Sequence, residues 1–125
     1  MTALLVLCSA LALVLIVAGV YALVEPYGMA HVYGVPIEGA SAAGFVRAAG
    51  IRDLTFGVAL GAAAYFRDEP LLIILAAAGI LLSFADFAIA YHAGGRQLRP
   101  AHGFHASGII AFILVLTMIL FAFGR

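Results

Sequence analysis

"GFVRAAGIRDLTFG", residues 44–57, sets Arg47, Arg52 and Asp53 among glycine, alanine and large apolar side chains. Its reading decides the fold. As part of a helix from about Ser41 to Tyr65 it is membrane-embedded; entering the bilayer only near Gly50, it leaves Leu54 to Phe66, too short to span without tilt. At a rise of 1.5 Å per residue from Ser41, Arg47 lies about 9 Å and Arg52 about 16 Å along the helix. The deep placement is the expectation. A charge at the centre of a lone spanning helix costs on the order of 3 kcal/mol, so such groups face other helices or water and pair.

The rest of the chain supplies the apolar setting. Of 125 residues, 66% are hydrophobic and 10% charged, and the mean hydropathy is +1.22, far from the roughly one-quarter charged content of soluble domains. Room exists for about four helices, each needing roughly 20 apolar residues. Net charge is zero, the six basic residues are all Arg, and there is no basic run, so no nucleic-acid partner is expected. Cys8 is the single cysteine; it excludes an internal disulfide and is read as packing.

Thr2 to Val24 carries no charge and stops at Glu25-Pro26. Lacking a basic n-region, it reads as a transmembrane helix rather than a signal peptide. Residues 25–40, "EPYGMAHVYGVPIEGA", read as an irregular interfacial segment with Tyr27 and Tyr33 in an aromatic belt. "FRDEP", 66–70, is a polar turn whose acids precede a proline that opens the next helix. That helix closes at Gly94-Gly95, and Pro100 opens the last. The expected fold is all-α, one four-helix transmembrane bundle spanning residues 1–125, with helices at about 3–24, 41–65, 70–91 and 101–123.

Alternating helix directions gather Glu25, His31, Arg47, Arg52, Asp53, Asp86, His92, His102 and His105 at one membrane face. The opposite face holds Arg67, Asp68, Glu69 and Arg125. Gly50, Asp53, Gly57 and Gly61 share a stripe, and Gly79, Ser83, Asp86 and Ala90 form a second; small residues on a stripe permit close helix contact. Arg52 and Asp53, adjacent in sequence, project about 100° apart, so Arg52 is expected to find its partner on another helix. His102 and His105 stand one turn apart at a helix start, where the dipole favours neutral imidazole. An isolated H-x-x-H more often meets interfacial water, and no metal motif is present, so no metal or other cofactor is expected.

"RAAGIRDLTFG", with "ADFAIAYHAGG" and "HGFHASG", resembles an uncharacterised family of small four-helix membrane proteins of the DoxX-like group, a domain of unknown function. Its most specific part is Gly50, Arg52, Asp53 and Gly57, supported by Asp86 and the histidine near the start of the last helix. The resemblance implies fold and membrane location, and no activity.

The one-sided cluster points to a site for a small amphipathic or lipophilic molecule. In that reading Arg52, Arg47, Glu25 and His102 bind, while Asp53, Asp86 and His105 supply acid–base chemistry if any occurs. Two other readings use the same residues: an architectural or assembly subunit whose charges only hold helices together, and a small dimeric transporter, for which no inverted repeat is visible. The lipid bilayer is the expected partner, together with a second copy docked through the glycine-rich face. The expected location is a bacterial cytoplasmic membrane, multi-pass. Arg47, Arg96 and Arg99, against Arg67 and Arg125, lean the cluster side toward the cytoplasm.

Overall fold

The computed structural model describes residues 1–94 and 99–124. Five helices occupy them, α1 Thr2–Val24, α2 Pro26–Tyr33, α3 Gly39–Phe66, α4 Glu69–Gly94 and α5 Arg99–Ala122, and no strand is present among the described residues. The helix count exceeds the expected four because residues 25–40 are not irregular throughout. Glu25 caps α2, its carboxylate accepting from Gly28 N at 3.3 Å, and Pro26 occupies the first turn. Gly34 ends α2 with φ 80°, a left-handed conformation that glycine adopts without a side-chain clash. The acid-then-proline signal that opens α4 therefore opens α2 as well. The stop expected at Gly94-Gly95 falls partly outside the described residues, as do Arg96 and Arg125.

Three helices, α1, α4 and α5, are long and apolar enough to cross a membrane. Although α3 is the longest at 28 residues, it is not one of the three; Arg47, Arg52, Asp53 and many small residues lower its hydropathy. The molecule's exterior is apolar, with Val6 64% exposed, Ile74 62%, Leu81 69% and Phe121 83%. Contiguous apolar surface of that kind suits lipid contact rather than water.

Packing is pairwise. Antiparallel α1 and α3 form one tight pair and antiparallel α4 and α5 the other, while α3 and α4 touch lightly. Glycine sets the first pair's separation. A β-carbon on Gly50 would lie 2.6 Å from Ala22 Cβ, and one on Gly57 would lie 2.8 Å from the Ala12 carbonyl oxygen. The glycine-rich face expected to dock a second copy is thus covered by α1 of the same chain. In the second pair Gly79 receives the Phe112 ring, and Gly108 sits against Ser83. The main core, including Leu4, Cys8, Leu60, Leu72, Val115 and Ile119, fills the end reached by the chain's N-terminus. A smaller cluster of Ala22, Met29, Ala30 and Val46 fills the other. Between them lies a polar layer.

Gly50→Leu forces α1 and α3 apart and should cost about 1–3 kcal/mol or more. Gly61→Ala, whose β-carbon would sit 3.6 Å from Ala12 Cβ, should be near neutral. Thermal unfolding in detergent, followed by circular dichroism, separates the two.

Candidate functional site

Arg52 lies near the middle of α3, about 20 Å from either end at 1.5 Å per residue. Its guanidinium crosses the loosely packed α3–α4 gap to Asp86, donating Nη1 to Oδ1 at 3.1 Å and Nη2 to Oδ2 at 2.7 Å. This two-pronged geometry is the strong form of an arginine–carboxylate pair. The same guanidinium turns back to its neighbour, with Nε and Nη2 at 3.0 and 2.9 Å from Asp53 Oδ1. Sequence reasoning placed the Arg52 partner on another helix, and Asp86 meets that expectation; the additional bond to Asp53 does not follow from it. The 100° separation applies where side chains leave the helix, whereas the arginine stem is long enough to bring its head back around.

Asp53 receives a third donor. The Tyr33 hydroxyl, at the end of α2, donates to Asp53 Oδ2 at 2.6 Å. Burial first, then this bond to the carboxylate, pushes the Tyr33 phenol well above its ordinary range, so the hydroxyl stays protonated and remains a donor. The Tyr33 carbonyl accepts from His105 Nε2 at 3.0 Å, which assigns the proton to Nε2 in that bond. His105 is 6% exposed, and its ring stacks on Tyr33 with centroids 6.2 Å apart. A continuous polar chain therefore runs from α5 through α2 and α3 to α4: His105, Tyr33, Asp53, Arg52, Asp86.

Tyr33 is the residue that sequence reasoning placed elsewhere, in an interfacial aromatic belt. Its inward position depends on α2, which folds residues 26–33 back over the helix ends. The cap at Glu25-Pro26 was the available signal for it.

The other expected site residues lie apart. Arg47 is exposed and donates Nε to the Leu23 carbonyl at 3.3 Å, so it ties α3 to α1. Glu25 is exposed and serves as the α2 cap. His102 packs between Phe87 and Tyr91, with ring centroids at 5.7 and 5.8 Å. One helical turn swings it about 60° from His105 and moves it along the axis, so "HGFH" sends its two imidazoles to different surroundings. His31 and His92 are exposed. Among the described residues no group of three or more His, Cys, Asp or Glu is placed to hold a metal ion.

A cavity of about 380 Å³ rests on the polar chain. Arg52, Asp86, Tyr33 and His105 form its polar part, and Ala30, Val35, Ile37, Ala42, Val46 and Ala49 belong to its apolar walls. Phe45 and Ile89 also line it while being 78% and 58% exposed. The mouth therefore lies between α3 and α4, on the apolar exterior. Across the Arg52–Asp86 pair is a second cavity of about 40 Å³, bounded by Asp53, Ser83, Phe56 and Phe112 among others. That volume and polarity suit one or two waters. Phe56 and Phe112 meet edge to face at 5.7 Å and help bound it on the side of the main core.

Tyr33→Phe removes a hydrogen bond to a carboxylate and should lower stability by about 1.5–3 kcal/mol. Arg52→Gln should cost more, because Asp53 and Asp86 then lose their shared cation. The triple variant Arg52→Gln, Asp53→Asn, Asp86→Asn should recover much of that loss, since an uncompensated charge is costlier than a neutral polar group. Melting temperatures of the four proteins in one detergent check the order.

A family model described as "Domain of unknown function (DUF4267)" matches residues 12–120, a span that takes in every member of the polar chain. No curated protein and no solved structure matches the sequence.

Proposed function

The chain belongs to the DUF4267 family, a domain of unknown function, and we propose from its site that it is a membrane protein that binds a small lipophilic or amphipathic molecule. In this reading α3 is a fourth membrane crossing. Its 28 residues are long enough, and its central charges turn inward to Asp86 and Tyr33 rather than toward lipid, as intramembrane charges do.

The observation that carries the proposal is the cleft itself. An apolar cavity of about 380 Å³ opens between two lightly touching helices and ends on a small set of convergent polar groups. Ligand sites have that composition, at volumes of about 300–1,000 Å³. The exposed rims, Phe45 and Ile89, would face acyl chains, so a lipophile would enter sideways from the bilayer with its polar end leading. His105, its Nε2 proton committed to Tyr33, offers Nδ1 as the proton acceptor for any acid–base step; the binding role does not depend on one.

The architectural reading draws on the mutual saturation of Arg52, Asp53 and Asp86. It accounts for the charges and leaves the cavity above them without a role.

Ala49 lines the cavity and is half-buried. Ala49→Trp should fill the space while leaving the Arg52 bonds in place. Protein purified from membranes in a mild detergent should carry a non-covalent small-molecule adduct in native mass spectrometry. The Ala49→Trp protein should lose it while melting within a few degrees of the parent. Identical adduct profiles in the two proteins would remove the basis for a ligand site.

A further inference from the structure

The polar end of the cavity has a sign. It rests on a charged group of which Arg52 and Asp86 line the cavity, while Asp53, paired with the same guanidinium, bounds the smaller cavity; one guanidinium against two carboxylates leaves the group with one net negative charge. No other cationic side chain of the described residues lines the space. Arg47 is turned to the Leu23 carbonyl, α2 contributes Tyr33 and apolar residues, α4 contributes Asp86, and α5 contributes His105.

Hydrogen-bond capacity has the same bias. Arginine has five N–H donors. Asp53 and Asp86 engage both Nη2 hydrogens, the Nε hydrogen and one of the two on Nη1, which leaves a single donor. The Tyr33 hydroxyl is given to Asp53. Acceptors are left over: the outer lone pairs of Asp86, which lines the cavity, and Nδ1 of His105, which has no hydrogen-bond partner among the described residues. His105 is a polar side chain at 6% exposure that lines the cavity with this acceptor unused.

Resting on the reading of the cleft as a ligand site, we infer that its ligand is a lipophilic amine bound as the ammonium. A primary ammonium brings the one positive charge the cluster lacks and three N–H donors, for Asp86 and for His105 Nδ1. A carboxylate or phosphate head would instead raise the negative charge to two in an apolar cleft and find one N–H to meet it. A hydroxyl head would satisfy part of the hydrogen bonding and none of the charge.

The test uses the full chain in phosphatidylcholine nanodiscs, whose lipid carries no net charge, with tritiated dodecylamine as the probe and empty nanodiscs as background. At pH 8 the amine, with an ordinary pKa of about 10.4, is charged. Dodecylamine should bind saturably, unlabelled dodecanol should compete at least tenfold more weakly, and dodecanoate should not compete. Asp86→Asn should weaken amine binding by about tenfold, the factor that corresponds to about 1.4 kcal/mol. Dodecanoate or dodecanol competing as well as the amine, or an Asp86→Asn protein with parental affinity, overturns the ammonium assignment and leaves the cleft a ligand site of another kind. If Asp86→Asn does not fold, competition on the parent protein decides alone. If dodecylamine, and dodecanol and dodecanoate each tritiated in turn, all lack saturable binding that Ala49→Trp abolishes, the ligand-site reading itself fails, and the inference with it.

Discussion

A part-buried guanidinium in the middle of a helix has to be neutralised by groups that the chain itself brings, because an uncompensated buried charge is costly. Arg52 meets that requirement with Asp53 on its own helix and Asp86 on α4. Much of the arrangement around it follows. The bond to Asp86 spans a boundary where two long helices touch only lightly, so α3 and α4 are joined there by charge rather than by shape. Because they are not packed tightly there, a cavity remains above the pair. Asp53, the other carboxylate that neutralises Arg52, also accepts from the Tyr33 hydroxyl, and the Tyr33 carbonyl accepts from His105 Nε2.

The surrounding helices are held differently. Without water there is no hydrophobic force drawing apolar helices together, so close van der Waals contact must do so. Glycines at 19, 50 and 57 bring α1 and α3 into backbone contact, and Gly79 and Gly108 make room between α4 and α5 for the Phe112 ring and the Ser83 side chain. The molecule is two tightly packed pairs bridged by a polar layer and by the core at the opposite end. That division places the candidate site at the seam between the two pairs.

Much of this was legible in the residues. Asp53 on the glycine stripe and Asp86 on a small-residue seam were both assigned to packed interior faces; both are part-buried, and Asp86 lies at the lightly touching α3–α4 boundary, where it lines the cavity. The match of the family model to residues 12–120 agrees with the resemblance carried by Gly50, Arg52, Asp53 and Gly57. The two histidines of "HGFH" were less legible, since one helical turn decides which of them meets Tyr33 and which meets Phe87. Arg47 and Glu25 were grouped with the site by membrane depth alone. Depth says nothing of direction around a helix, and both point outward.

The sequence by itself determined the apolar character, the all-helical class, the turn at 66–70 and the need for Arg52 to find acids, because these follow from local composition, capping and the cost of charge in hydrocarbon. Only the tertiary structure decided that Tyr33 joins the charge cluster, that His105 and not His102 completes it, and that a cavity opens between α3 and α4. Those outcomes depend on how α2 folds back and on which helix pairs pack tightly. Such properties arise from contacts between distant segments, and no local pattern encodes them.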